Sequence, residues 1–197
     1  MREVYLGLDV SLTGLGMVAV PSDWAGDFSK VQRNSLGLEL PKNATPRQQI
    51  ERMLALALDV RIWAVRVGAT IACYEDSLPR DAFSVKPLAK LLGFIEKELA
   101  QECHLFAEPV NQSSARKFFL GYLPTKRKGG PRVDRKKVVT SALDALTDVF
   151  QFHDESDAFI AVNHRMARDP GVHVIELNAP NPNAVAKPVK KPRARAA

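Results

Sequence analysis

The first twenty residues constrain the fold more than any other stretch. Val4 to Asp9 reads VYLGLD and Gly14 to Val20 reads GLGMVAV, two short apolar runs. Val10, Ser11, Leu12 and Thr13 lie between them, followed by Gly14 and Gly16. β-rich runs joined by a short, Gly-flanked turn have the sequence form of a β-hairpin. Asp9 ends the first run. A carboxylate there is costly unless it meets a cation or hydrogen-bond donors. It is placed to hold a metal or to face a phosphate. The plainer reading is an Asp that hydrogen-bonds its own turn. Whether other acids of the chain can meet Asp9 decides between the two.

Further along, Asp23–Asn34 reads as a loop and Ser35–Leu40 as a third strand of the same antiparallel ribbon. Thr45-Pro46 is a helix start, an N-cap followed by proline at the first helical position. Ile50, Met53, Leu54, Ala57 and Val60 recur at helical spacing, so the helix runs to about Arg66, where Gly68 stops it. Ala69–Tyr74 is a continuous apolar run, as in a strand covered on both faces, and it ends in Glu75. Ser84 is the expected cap of a second helix, with Leu88, Leu91, Leu92, Ile95 and Leu99 on one face. A short strand is expected at His104–Ala107 and a short helix or turn at Ser113–Leu120, which carries Arg116 and Lys117.

A helix from Asp134 to Val149 has Val139, Ala142, Leu143, Leu146 and Val149 on one side. Its first turn carries Arg135, Lys136 and Lys137, which oppose the helix dipole and so point to an anion. The last helix begins near His153. There Asp154, Asp157, Ala158 and Ala161 fall at i, i+3, i+4 and i+7 and share a face. Alanines allow close packing on a sheet, and the two carboxylates then aim at strand ends. Taken alone, Asp154, Glu155 and Asp157 read equally as first-turn acids that stabilise the helix. His153 reads as a helix-start residue, although it could also position a water beside Asp154. Val172–Leu177 is a marginal strand.

The length fits one α/β domain over 1–177, followed by a basic, disordered tail over 178–197. Of 28 basic residues, five lie in 177–197, a stretch with no acids. That leaves 23 basic against 22 acidic residues elsewhere. Pro124–Lys137 holds seven of those bases, including Lys126, Arg127, Lys128 and Arg132, with only Asp134 among them. The positive charge is thus gathered in one Gly/Pro loop and one tail, as in a nucleic-acid footprint. No stretch has the apolar length to span a membrane, and no signal peptide is legible at the N-terminus. Cys73 and Cys103 lack metal-ligand spacing and read as reduced thiols of a cytoplasmic protein.

Asp9 at the end of strand one, Glu75 at the end of a buried strand and the late pair Asp154 and Asp157 converge. With LGLDVSLTGLG, CYED, ARKFFLG followed by RKKVV, and DESDAFIAVNH in this order, the chain resembles the RuvC family of Holliday junction resolvases over Val4–Arg168. The resemblance implies a ribonuclease H-like mixed sheet: an antiparallel three-strand ribbon plus parallel strands, flanked by helices. It implies Asp9, Glu75, Asp154 and Asp157 as catalytic acids. It also implies a homodimer acting on a four-way DNA junction. Leu78 matches an apolar wedge near the junction centre. Arg116 and Lys136 or Lys137 match basic residues that approach the scissile region. The long PTKRKGGPR loop and the basic tail point to a phage-type or otherwise divergent member. Four carboxylates form a hard oxygen site suited to two Mg²⁺ ions, or to Mn²⁺, flanking one phosphodiester. Lys117, with the loop bases, completes the expected DNA contacts.

Three other readings compete. Fork and three-way DNA are alternative substrates. The hairpin is also similar to the phosphate turn of actin-like ATPases, but the chain is about half their usual size and has no second Gly-rich turn. A non-catalytic DNA-binding module leaves the strand-end acids unexplained.

Overall fold

The computed structural model describes residues 2–37, 43–76, 82–124 and 133–178. The hairpin forms as expected, with β1 (Val4–Val10) antiparallel to β2 (Gly14–Pro21). Ser11 closes the turn: its hydroxyl accepts from the Gly14 amide at 3.0 Å and donates to the Gly14 carbonyl at 2.8 Å. β3 (Gln32–Gly37) pairs antiparallel with β2 and begins three residues before the expected start. Gln32, Arg33 and Asn34 are polar, but β3 is the sheet edge, where polar side chains are tolerated. The rest of the expected strand, 38–40, lies outside the described residues.

β4 (Ile71–Asp76) runs parallel to β1, and β5 (Ala107–Asn111) runs parallel to β4. The sheet order is β3-β2-β1-β4-β5. β5 starts where the expected strand ended. His104 takes a left-handed φ of 56°, which interrupts extended backbone there. Pro109 within β5 is acceptable because this strand is the other edge.

Local chemistry starts and stops the helices. α1 (Pro46–Val67) opens with a capping box, in which the Thr45 hydroxyl accepts from the Gln48 amide and Gln48 Oε1 accepts from the Thr45 amide at 2.8 Å. Gly68 ends it at a φ of 67°. Met53, Ala57 and Val60 are buried as expected, together with Leu56, Trp63 and Ala64. Ile50 and Leu54 are not. They share an exposed side with Leu58, Ile62 and Val65. α2 (Ala82–Cys103) starts before the expected cap at Ser84 and buries Leu88, Leu91, Ile95 and Leu99. α3 (Gln112–Leu120) is capped by Asn111, whose side chain accepts from the Ser114 amide at 3.0 Å. α4 (Arg135–Asp144) is capped by Asp134 and ends five residues before the expected Val149. Leu146 is left exposed beyond it. α5 (His153–Met166) is the last helix.

Period-2 alternation along β1 separates two cores. Leu6, Leu8 and Val10 join α1 and α2 on one face of the sheet. Tyr5, with Val18 and Cys73, joins α3, α4 and α5 on the other. The expected strand over Val172–Leu177 does not form. That segment docks on helices instead. The Asn163 side chain donates to the Ile175 carbonyl at 2.7 Å and accepts from the Ile175 amide at 2.8 Å. Beside it, the Leu177 amide donates to the Phe119 carbonyl at 2.8 Å, and Trp24 Nε1 donates to the His173 carbonyl at 2.8 Å. No helix among the described residues is long and apolar enough to cross a membrane.

Candidate metal centre

Asp9 follows Tyr5 and Gly7 onto the face covered by α5, and Glu75 follows Cys73 onto the same face. β1 and β4 are parallel with Leu8 opposite Tyr74, so the next residues, Asp9 and Glu75, stand side by side at one end of the sheet. Two glycines admit the third acid. A Cβ at Gly7 would collide with the Ala158 carbonyl oxygen and Val162 Cγ2, and one at Gly16 with the Asp154 carbonyl group. Because both positions lack a Cβ, the α5 backbone lies directly on β1 and β2, and Asp157 reaches the strand ends. One oxygen each from Asp9, Glu75 and Asp157 lies within 4.8 Å of the other two, and all three residues are buried.

Asp154 stands apart, at the rim, with 35% of its side chain exposed. It joins the group through Lys136 of α4. Lys136 Nζ lies 2.8 Å from Asp154 Oδ1, 3.0 Å from Asp9 Oδ2 and 3.3 Å from Asp157 Oδ2. Arg116 of α3 grips Asp157 with both arms of its fork, Nη2 at 2.9 Å from Oδ2 and Nε at 3.4 Å from Oδ1. Its Nη2 is 3.9 Å from Glu75 Oε1. Arg116 is buried, so its guanidinium faces the acids and not the surface.

The electrostatics are those of crowded, desolvated acids. Burial, reinforced by Asp9 and Asp157, pushes the Glu75 carboxyl up to about 9. Burial also pushes Asp9 up to about 7, opposed by Lys136 and assisted by Asp157. Burial alone would depress Lys136, but Asp9 and Asp154 outweigh it and hold the ammonium well above its ordinary value. Neither oxygen of Glu75 meets a hydrogen-bond donor among the described residues. A buried carboxylate with no donor is a position that a hard divalent cation fits. Once all four carboxyls are ionised, as ligation of a cation requires, they face only two cationic side chains, Lys136 and Arg116, which leaves two negative charges for the cation to balance.

Glu155 has a role that the sequence did not disclose. It is buried on α5, accepts from the Gln151 amide at 2.8 Å and from Ser35 Oγ at 2.9 Å, and pairs with Arg33 at 3.3 Å. These contacts fix the first turn of α5, from which Asp154 and Asp157 project. An acid among helix-start acids carries no signal that would single it out. Of the remaining expected contacts, Lys117 and Lys137 are exposed. Leu78, Lys126, Arg127, Lys128 and Arg132 lie outside the described residues. His153 Nδ1 is 2.6 Å from Thr140 Oγ1, and His164 packs edge-on against Phe118. Cys73 is buried, and burial pushes its thiol up to about 12, as for an unreactive core residue.

No protein-family model matches the sequence, and no curated protein matches it either. Solved structures do match. The Thermus thermophilus RuvC structure superposes with a TM-score of 0.56 at 18% identity, over 84% of this chain and 95% of that one. T. thermophilus RuvC in complex with a Holliday junction substrate superposes with a TM-score of 0.55 at 17% identity, over 86% of this chain and 98% of that one. The resemblance to RuvC read from the motifs therefore holds in three dimensions: the chain has the ribonuclease H-like fold of the RuvC resolvases.

Proposed function

We propose that this chain is a divalent-metal-dependent endonuclease that cuts four-way DNA junctions. The observation that carries the reading is Glu75, a buried carboxylate with no donor among the described residues, held against Asp9 and Asp157 at the sheet end of a RuvC-like fold. Asp9, Glu75 and Asp157 would hold the metal, with Asp154 completing the set from the rim. Two bound Mg²⁺ ions would supply charge stabilisation for an in-line phosphodiester displacement and lower the pKa of the attacking water. Arg116 fixes the rotamer of Asp157 from behind. Burial of the three acids keeps bulk water from competing for their oxygens.

DNA contact is assigned to the exposed Lys117 and Lys137, to Leu78, and to the loop residues Lys126, Arg127, Lys128 and Arg132. The nuclease domain is assigned to 1–177, with 178–197 as a basic tail adding sequence-blind phosphate contacts. A second copy fits the exposed apolar side of α1, formed by Ile50, Leu54, Leu58, Ile62 and Val65. A twofold dimer would present two sites to the two equivalent strands of a junction.

Labelled four-way, three-way and duplex DNA, each with Mg²⁺ and with EDTA, test the reading. The expected result is symmetric cutting of the four-way junction that EDTA abolishes. In Asp9→Asn it should fall by roughly a thousandfold or more, the scale on which transition-state charge stabilisation is lost. Equal cutting of fork or three-way DNA would broaden the substrate to branched DNA in general. An Asp9→Asn chain that folds and cuts at the wild-type rate would overturn the assignment.

A further inference from the structure

The metal centre already contains a cation of its own. Lys136 Nζ sits within 3.3 Å of three carboxylates, Asp9, Asp154 and Asp157, which come from two different elements of the fold. No other lysine side chain among the described residues meets more than one acid. The two oxygens nearest to it, Asp9 Oδ2 and Asp154 Oδ1, belong to residues assigned above as metal ligands. Lys136 also departs from helix logic. It lies in the first turn of α4, where a positive charge opposes the dipole, so its position is set by the acids and not by the helix. Its side chain is 39% exposed, so a path leads outward from the acids. Arg116 differs on this point: it is buried, bonded through two nitrogens and has nowhere to go.

We infer that Lys136 is a displaceable plug of the metal centre. Its ammonium holds the acid cluster together without metal, competes directly with the divalent cation for Asp9 and Asp154, and swings outward when the cation binds. The inference rests on the proposed metal-dependent function. It adds that the resting site is closed by the chain's own charge. The ammonium stays protonated throughout, so the exchange is one cation for another with no covalent step. Once outside, the same side chain lies at the mouth of the site, where an incoming phosphate offers it a new anionic partner. Metal loading and phosphate engagement are then coupled through one residue: metal frees the lysine that phosphate captures. The coupling is reciprocal, so phosphodiester at the mouth should in turn favour metal binding.

The test uses Mn²⁺ alone, without DNA, on the full chain. Calorimetric titration of Lys136→Gln should give Mn²⁺ affinity raised about tenfold or more over the wild type, because a competing unit charge has been removed at contact distance. Affinity that stays level or falls overturns the inference. Because Lys136→Gln leaves the acids with less compensating charge, the second arm uses the unmodified protein. Acetylation of individual lysines by acetic anhydride is followed by mass spectrometry with and without Mn²⁺. The expected result is a several-fold rise in Lys136 labelling on Mn²⁺ addition, with the exposed Lys117 and Lys137 unchanged. Mn²⁺ binding with Lys136 labelling unchanged or reduced overturns displacement and leaves the metal site standing. Absence of Mn²⁺ binding by both chains overturns the metal site and the plug together.

Discussion

Glu75 and Asp9 are the residues at which stability and function oppose each other. Both carboxyls titrate well above their unfolded values of about 4. The folded state therefore holds more protons than the unfolded chain across the window between. Stability from these protons is fully present below about pH 4 and is lost as pH rises through about 7 for Asp9 and about 9 for Glu75. Without metal, the melting temperature should decline from pH 5 to pH 9. Mg²⁺ should restore more of it at pH 8.5 than at pH 5.5, because binding expels protons that the acids have already lost at the higher pH. Glu75→Gln should flatten the metal-free profile and melt higher than wild type at pH 8.5. A wild-type profile that rises over this range would contradict the burial argument. At this scale the sequence was partly legible. Asp9, Glu75 and Asp157 could be paired because each ends a strand or lies on an alanine-bearing helix face. Glu155 could not, and Arg116 was reached only through the family resemblance, as a DNA contact and not as the buried partner of Asp157, since nothing in their neighbours distinguishes a buried charge from a surface one.

At the scale of elements, α5 is positioned by what β1 and β2 lack. The collision of a Gly16 Cβ with the Asp154 carbonyl is with backbone, which cannot rotate away. Gly16→Ala should cost about 2 kcal/mol as an overpacking change, and should slow cleavage as well because it moves the turn that carries Asp154. Gly93→Ala in α2 meets nothing within 4 Å and should stabilise the chain by up to about 1 kcal/mol through helix propensity. Denaturant midpoints of the two variants check the contrast, and shifts of the same sign would undo it. Elements were legible where the controlling chemistry is local: the Ser11 turn, the Thr45 capping box and the Gly68 stop. They were displaced where tertiary context decides. β3 includes polar residues because Arg33 and Ser35 answer Glu155 across the sheet. α1 is apolar around much of its girth, so spacing alone placed Ile50 and Leu54 on the wrong side. Residues 172–177 look like a strand, but the Ile175 backbone pairs with the side-chain amide of Asn163, which mimics a neighbouring peptide.

At the scale of the whole molecule, the proposed function assigns association to the exposed side of α1 and to the basic segments. If a second copy covers α1, Leu58→Glu with Ile62→Glu should convert a dimer at micromolar concentration to a monomer in sedimentation, with the fold retained. Unchanged sedimentation would move the contact elsewhere. The anchoring of Leu177 to Phe119 has a geometric consequence for the chain that follows. It is a mooring point on α3, the helix that delivers Arg116 to the acids. The twenty residues from Asn178 to Ala197 have a contour length of at most about 70 Å, equal to about 20 base pairs of DNA. Under the proposed function, their five bases could reach no farther than that from Leu177. Removing Pro180–Ala197 should lower the log–log salt slope of junction binding by about 0.9 for each phosphate released. That difference should grow with junction arm length only up to about 20 base pairs and then stop. Binding titrations on junctions with successively longer arms measure the cutoff, and a difference that keeps growing past it would mean the tail is moored elsewhere.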